Sequence, residues 1–199
     1  MTSKRRGFAR PALAVLLIGL AAIVAVVLLV PLTSFGGQAQ VVDSIPAAKR
    51  AVERYLGANG QSFKIKEIME FSNNFYAVVQ EQGTGMGAFE LLVDRYTGSV
   101  GPEPGPNMMW NKKYGHMGGV SSSYPAMTVG ADQAMALAQK WLDQNYPGSK
   151  PEEPNAFYGY YTMDVSQGGK IFGMLSVNGY TGAVWYHTWH GQFVAMEEF

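Results

Sequence analysis

The feature that most constrains the fold of this chain is an internal repeat. Residues 73–100 read NNFYAVVQEQGTGMGAFELLVDRYTGSV, and residues 155–184 read NAFYGYYTMDVSQGGKIFGMLSVNGYTGAV. Both segments have Phe-Tyr at their third and fourth positions, contain glycines in the middle, and end on Tyr-Thr-Gly followed by Ser or Ala and a valine. The second copy is two residues longer, at the turn around Gly168. Such self-similarity predicts that the chain builds the same small unit twice.

A helix is predicted ahead of each copy. Residues 46–56 and 131–142 carry Ala, Val, Leu and aromatic residues at helical spacing, and small-residue turns follow both segments. Tyr55 and Trp141 occupy matching positions in the two helices. We therefore expect both side chains to be buried against their sheets.

The segments after the helices alternate in the manner of strands. Aromatic or β-branched residues recur at every second position in each copy, and residues 63–71 form an additional candidate strand. An antiparallel sheet with one face covered by a helix explains this alternation. The predicted fold class is α+β: two tandem helix-plus-antiparallel-sheet repeats, either fused into one sheet or packed as two sheets.

These segments resemble the PepSY family. The helices AAKRAVERYL and ADQAMALAQKWL, each followed by a hairpin that ends in LLVDRYTGSV or LSVNGYTGAV, carry the likeness over most of residues 43–194. The resemblance implies a small secreted α+β module with an accessory role, either inhibitory or partner-binding, as in protease propeptides and membrane-anchored envelope proteins. It supplies no catalytic residues.

The N-terminal segment predicts a membrane anchor. Residues 11–32 contain no charged residue, a length that matches a bilayer-spanning helix, and four basic residues precede them. The alternative is a long cleaved signal, since Gly37, Gln38 and Ala39 form a small-residue cleavage site. The preferred organisation is a cytoplasmic tail (1–10), a transmembrane helix (11–32), a linker (33–42), a first repeat (43–101), an insert (102–127) and a second repeat (128–199). This predicts a single-pass cell-membrane protein with its C-terminal part outside.

Composition excludes several functions. The chain has no cysteine, which rules out disulfides and thiolate chemistry. All 15 acidic residues but only 11 of the 15 basic residues lie beyond residue 32, so nucleic-acid binding has little support. Asp94 invites an acid–base interpretation, but its counterpart in the second copy is Asn178, and an amide cannot replace a general base. Both residues are therefore predicted to cap turns, and we expect a protein without enzymatic activity.

The insert suggests an interaction surface. It contains MMWNKKYGHMGG at residues 108–119, between prolines and serines. Met108, Met109, Trp110 and Tyr114 are residues favoured at interface centres. Their predicted role is to contact a protein partner in the cell envelope, a function that needs no cofactor. The alternative is that the insert folds back and covers an open face of its own domain.

Metal binding is the rival functional hypothesis. His116 and Met117 lie beside glycines, and His187 and His190 form an H-x-x-H motif. Imidazole binds copper or zinc, and thioethers select Cu(I). Residues three apart on a strand face opposite ways, so His187 and His190 can share an ion only if the strand ends there, which Gly191 would allow. The alternative is that these residues bind no metal and are ordinary core and surface side chains.

Overall fold

A computed structural model describes residues 41–57, 62–116, 118 and 124–199. All of them belong to the compact unit Ala39–Phe199. The described part is α+β, with one large mixed sheet and few helices. It contains no helix that is both long and apolar enough to cross a membrane. The predicted span, residues 11–32, lies outside the described residues.

The first half forms a helix followed by four strands, in the order α1 (Ile45–Leu56), β1 (Phe63–Phe71), β2 (Asn74–Glu81), β3 (Gly87–Asp94) and β4 (Val100–Pro102). Ser44 precedes α1 in an extended conformation, Pro46 lies in its first turn, and Gly57 at φ +50° follows its last residue. The predicted helix at residues 46–56 and the additional strand at residues 63–71 are both confirmed.

The second half begins with the insert and continues through six strands, in the order α2 (Pro106–Met109), α3 (Ala131–Asn145), β5 (Ser149–Pro151), β6 (Asn155–Phe157), β7 (Tyr160–Gln167), β8 (Lys170–Asn178), β9 (Val184–Tyr186) and β10 (Phe193–Glu198). The predicted helix at residues 131–142 is confirmed and extends to Asn145. The insert contains the short helix α2.

The ten strands form a single sheet that is strongly curled. Its main order is β10-β1-β2-β3-β6-β7-β8-β9, with β4 beside β3 and β5 beside β7. The β3–β6 pair is parallel, and the other described pairs are antiparallel. Eight flat strands would span roughly 34 Å, but the six residues between β9 and β10 reach at most about 24 Å. The sheet must therefore curl, and β10 indeed approaches β8.

The outer, convex face carries the two long helices. Against α1 pack apolar side chains of β1, β2 and β3, including Ile68, Phe75 and Leu91. Against α3 pack alternate residues of β7 and β8, including Met163 and Leu175. The period of two that predicted these strands therefore selects the helix-covered face.

The inner, concave face is also buried, contrary to the expectation of one covered face. It holds a third cluster built on Phe71, Tyr76, Phe157, Tyr160 and Met174, together with fully buried polar groups. The reason is the curl, which turns the inner sides of the strands towards one another. The strand residues between the helix-facing ones are therefore packed inside the protein.

The matched positions Tyr55 and Trp141 differ in environment. Tyr55 is 48% exposed, so the prediction that it is buried is wrong; in the last turn of α1 it is Leu56 that reaches the core. Trp141 is half-buried and stacks on Tyr186 of β9, with ring centroids 5.7 Å apart. Helical spacing predicts the direction in which a side chain points around the helix. It does not predict which side chain of the last turn contacts the sheet.

The predicted turn caps are confirmed. Asp94 Oδ1 accepts hydrogen bonds from the backbone N–H groups of Tyr96 and Thr97, at 3.0 and 2.7 Å. Asn178 Oδ1 accepts the equivalent bonds from Tyr180 and Thr181, at 2.9 and 3.0 Å. The glycine after each threonine has a positive φ, which a side chain would strain.

Candidate metal centre

The insert lies against its own domain. Asn107 binds the backbone of β3: its Oδ1 accepts from the N–H of Glu90 at 3.0 Å, and its Nδ2 donates to the carbonyl of Glu90 at 3.1 Å. Asn111 Nδ2 donates to the carbonyl of Ala88 at 2.7 Å. These two buried amides extend the hydrogen bonding of β3 after β4 ends.

The proposed partner-contacting residues have mixed exposure. Trp110 is half-buried and packs edge-on against Trp185, and the half-buried Tyr114 donates to Glu81 Oε1 at 2.7 Å. Met108 is half-buried, whereas Met109 is 55% exposed. The described contacts of Trp110 and Tyr114 are thus intramolecular, in keeping with the alternative that the insert covers its own domain.

The candidate metal ligands separate into two groups. His116 is exposed, and Met117 lies outside the described residues. His187 and His190, by contrast, are buried together on the inner face, and their ring centroids lie 5.6 Å apart. Strand β9 ends at Tyr186, so the condition for the two histidines to face one point is met.

A third residue, Glu103, completes this group. Glu103 follows β4, and its N–H donates to the carbonyl of Glu90, which fixes it beside β3. His187 follows β9, and its N–H donates to the carbonyl of Met174 on β8. One ligand atom from each of Glu103, His187 and His190 falls within 4.8 Å of the others. We call this group the Glu–His cluster.

The three side chains of the Glu–His cluster approach at ion-pair distances, but without aligned N–H···O geometry. Glu103 Oε1 lies 3.2 Å from His187 Nδ1 and 3.0 Å from His190 Nε2. Both ring nitrogens and Glu103 Oε2 are nevertheless buried without a hydrogen-bond partner. The only partner of Oε1 among these described contacts that meets hydrogen-bond geometry is Trp189 Nε1, at 3.0 Å. Buried polar atoms of this kind are costly unless a further group binds them.

The hydrogen bonds around His190 indicate which of its two ring nitrogens carries the proton. Asn74 Nδ2 donates to the carbonyl of Trp189 at 3.2 Å, which orients the amide so that its Oδ1 faces His190 Nδ1 at 3.0 Å. Nδ1 must therefore carry the proton, and in the neutral ring Nε2 presents a lone pair. This lone pair lies beside the Glu103 carboxylate but is not aligned with its oxygen, an arrangement in which one cation can bind both atoms.

In the cluster without an ion, the charge states follow from burial and from attraction between the acid and the imidazoles, and an ion on His187 must displace a proton. Burial opposes ionisation of Glu103, but the nearby His187 and His190 lower its pKa to about 2, so it is a carboxylate at neutral pH. Burial lowers the pKa of His190, which favours its neutral form. Burial also disfavours charge on His187, but attraction to Glu103 outweighs it and raises the pKa.

A second carboxyl group lies next to the cluster. Glu90 is fully buried on β3, and its two oxygens accept hydrogen bonds from Tyr76 at 2.5 Å and Tyr160 at 2.7 Å. Burial and the neighbouring Glu103 raise the pKa of Glu90 to about 7. The inner face therefore buries two adjacent acids, which resist being ionised together unless a cation lies nearby.

The donor set suits a borderline divalent ion. Zinc takes imidazole nitrogen at about 2.0–2.1 Å and carboxylate oxygen at about 2.0–2.2 Å, so that tetrahedral ligand atoms lie roughly 3.3 Å apart. The separations of 3.0 and 3.2 Å from Glu103 Oε1 are close to this value. His187 Nε2 contacts Ser176 Oγ at 3.0 Å, and His190 Nδ1 binds Asn74, as metal-bound histidines commonly use their second nitrogen.

Sequence reasoning identified the two histidines of the Glu–His cluster and missed Glu103 and the neighbouring Glu90. Glu103 lies between Pro102 and Pro104, in a segment interpreted as part of an insert. Glu90 occupies the alternate position between Phe89 and Leu91, where an exposed side chain was expected. The sequence did offer one signal. Glu90, in a predicted strand, and Glu103, between two prolines, lie close in sequence, as residues paired across a hairpin do.

Comparison with known proteins assigns no family. No protein-family model matches the chain, and no curated protein matches it. Among solved structures, the Bacillus megaterium YpeB C-terminal domain is similar at 11% identity with a TM-score of 0.27, over 72% of this chain and 62% of that chain. This chain thus covers less than two thirds of the length of that structure. The proposals below rest on the residues of this chain.

Proposed function

We propose that this protein is a metal-binding module that holds a divalent transition-metal ion, best matched by zinc, with Glu103, His187 and His190. The observation that carries the proposal is the His190 lone pair beside a buried carboxylate oxygen at 3.0 Å without a hydrogen bond. A cation between the two atoms satisfies both. This function is a modified form of the copper or zinc hypothesis, with Glu103 in place of His116 and Met117.

The ligand chemistry favours zinc or another borderline divalent ion over Cu(I). The Glu–His cluster contains imidazole and carboxylate groups and no thioether, whereas Cu(I) prefers soft sulfur ligands. The three ligand residues are at most 3% exposed, which leaves an ion at this point with little access to a substrate. A structural or regulatory ion in a non-enzymatic protein fits this burial better than a catalytic one.

Metal titration of the full-length chain tests the proposal. After treatment with a chelator, the purified chain should bind one Zn²⁺, measured by calorimetry and elemental analysis. Substitution of Co²⁺ should give visible absorption bands typical of low coordination number. His190→Gln and Glu103→Gln should abolish both signals.

His116→Ala is the matched control, since this exposed histidine lies outside the Glu–His cluster. It should bind zinc like the unaltered chain, and far-UV circular dichroism should verify that each variant is folded. Zinc binding that survives in His190→Gln but disappears in His116→Ala would contradict the assignment, as would a folded, unaltered chain that binds no zinc.

We also propose that the two halves are tandem PepSY-like repeats. The support is the equivalent pair of turns, in which Asp94 and Asn178 accept the same two backbone hydrogen bonds and the following Gly98 and Gly182 have φ of 69° and 72°. Each turn closes a hairpin that follows a helix on the outer face. Exchanging the turns, with Asp94→Asn and Asn178→Asp, should therefore leave both halves folded in a denaturation experiment.

The membrane anchor and the envelope partner are proposals that rest on the sequence. Residues 11–32 support a single span with the described part outside the cytoplasm, and Met109 is the exposed apolar residue available to a partner in α2. Fractionation with external protease tests the anchor; recovery of a soluble chain that starts near residue 40 would contradict it. Loss of a co-purifying envelope protein in Met109→Ala would support the partner.

A further inference from the structure

The residues that hold the proposed ion lie in the connection between the two ends of the sheet. We call residues 187–192, which join β9 to β10, the strap. It contains His187, His190 and Gly191, and it crosses the inner face between the end strands of the sheet order. Gly191 has φ of +81°, and an added Cβ would lie 2.2 Å from Ser72 Oγ, so the strap fits tightly at the turn between β1 and β2.

The strap positions β10 directly. Its carbonyls at His190 and Gln192 accept hydrogen bonds from the N–H groups of Asn73 and Ser72, at 3.1 and 2.8 Å. The His190 ring stacks on Phe71, with centroids 4.5 Å apart, and Phe71 is the β1 residue paired with Phe193 at the start of β10. An ion on His190 would therefore restrain the point where pairing of β10 with β1 begins.

Strand β10 buries only two apolar side chains in part: Phe193 packs against the inner cluster, edge-on to Phe71, and Ala195 packs against the cluster under α1. Val194 is 57% exposed and Met196 is 39% exposed, and Glu197 and Glu198 end the strand. Glu198 pairs with Glu67 of β1, which places two acids opposite each other. Backbone pairing, the partly buried Phe193 and Ala195, and the strap therefore hold β10 on the edge of β1.

We infer that metal occupancy controls the docking of β10 on β1, an inference that rests on the proposed function. With the ion bound, moving the strap outward breaks two of its three protein ligands. Without the ion, the unpartnered His187 Nδ1, His190 Nε2 and Glu103 Oε2 gain water when the strap moves. The ion thus favours the conformation in which the strap lies against the inner face, and removal of the ion favours release of β10.

Release of β10 changes what the sheet presents to its surroundings. Residues 67–71 of β1 pair with β10 on one side and with β2 on the other. Without β10 their outward N–H and C=O groups form an open edge, which is the type of surface that binds an extended peptide strand. Metal loss would therefore expose the outward edge of residues 67–71.

Hydrogen exchange measured on the full chain with and without Zn²⁺ tests the coupling. Zinc should slow exchange at residues 67–71 and 193–198 in the unaltered chain, but not in His190→Gln. Helix α3, on the outer face, serves as the internal control. Equal exchange at residues 67–71 and 193–198 in a chain that demonstrably binds zinc would overturn the inference and leave the metal site intact.

Truncation after Gln192 provides an independent test, because it removes β10 and keeps all three ligands. Coupling between two sites is reciprocal, so the loss of β10 must weaken zinc binding by the factor by which zinc strengthens docking. We expect one zinc per chain, with an affinity lower by roughly 5–150-fold. Unchanged affinity would exclude the coupling, whereas a full-length chain without zinc binding would instead overturn the proposed function.

Discussion

The outer face of the sheet packs mainly aliphatic and aromatic side chains beneath α1 and α3, whereas the inner face packs tyrosines, carboxylates and histidines beside its apolar residues. Both faces are buried, so the difference between them lies in the interactions that their side chains require. Dispersion and the hydrophobic effect suffice on the outer face. On the inner face each polar group requires a partner, and at the Glu–His cluster three atoms have none. Asp164 Oδ1 is a fourth buried atom without a partner, but only at the Glu–His cluster do several such atoms converge, and this convergence identifies the candidate site.

The largest effect should come from the outer face. Phe75→Ala removes a fully buried ring from the cluster under α1 and should lower the free energy of unfolding by about 3–5 kcal/mol, through lost burial and the cavity that remains. Urea denaturation of the metal-free chain measures this loss. Tyr55→Ala, at an exposed position of α1, is the control and should change stability by no more than about 0.5 kcal/mol. Comparable losses in the two variants would remove the distinction between buried and exposed positions at α1.

The next largest effect should be stabilisation of the inner face by metal. Zinc that binds only the folded chain should raise the free energy of unfolding by about 2.7 kcal/mol at a free concentration 100 times its Kd. Denaturation with and without Zn²⁺ measures the increment. It should persist in Phe75→Ala, which leaves the cluster intact, and disappear in Glu103→Gln. An increment that persists in Glu103→Gln would show that zinc acts elsewhere.

A smaller effect should follow loss of a single inner-face hydrogen bond. Tyr160→Phe removes the hydroxyl that donates to Glu90 Oε2 at 2.7 Å, so a buried carboxyl oxygen loses its donor. We expect a loss of about 1–3 kcal/mol in urea denaturation. Tyr180→Phe is the matched control, because the Tyr180 hydroxyl binds the Pro125 carbonyl at an exposed position. An equally stable Tyr160→Phe variant would mean that Glu90 is solvated rather than sealed inside.

The smallest effect should be the dependence of the insert on pH. Burial opposes ionisation of Glu81, but Lys113, Tyr114, Thr84 and Tyr158 bind its carboxylate and lower its pKa from 4.5 to about 2. A lowered pKa contributes stability that is fully present above pH 4.5 and is lost as the pH falls through about 2. Solvent screening limits the contribution to about 1 kcal/mol.

Urea denaturation between pH 6 and pH 2 checks this prediction. Glu81→Gln should flatten the acid limb of the stability profile, and Lys113→Gln should weaken it by removing the cation. A profile that Glu81→Gln leaves unchanged would assign the acid sensitivity to other carboxyl groups.

Much of the secondary structure was determined by local sequence. Helical spacing with flanking turn residues predicted α1 and α3, because a helix needs only one apolar stripe to dock. Alternation predicted β1 and the longer strands, and the exchange of Asp94 for Asn178 predicted turn capping, because only an acceptor oxygen is required there. The H-x-x-H motif also indicated correctly that His187 and His190 meet where a strand ends.

Only the tertiary structure decided which residue joins His187 and His190 and which surfaces of the sheet are buried. Glu103 reaches the histidines because β4 continues β3 and the sheet curls until its ends are one strap apart, a closure that no local period encodes. The same curl buries Glu90, which alternation alone assigns to solvent, while the limited extent of the sheet under α1 leaves Tyr55 exposed. Periodicity fixes the side of an element on which a residue lies. What that side contacts depends on the path of the whole chain.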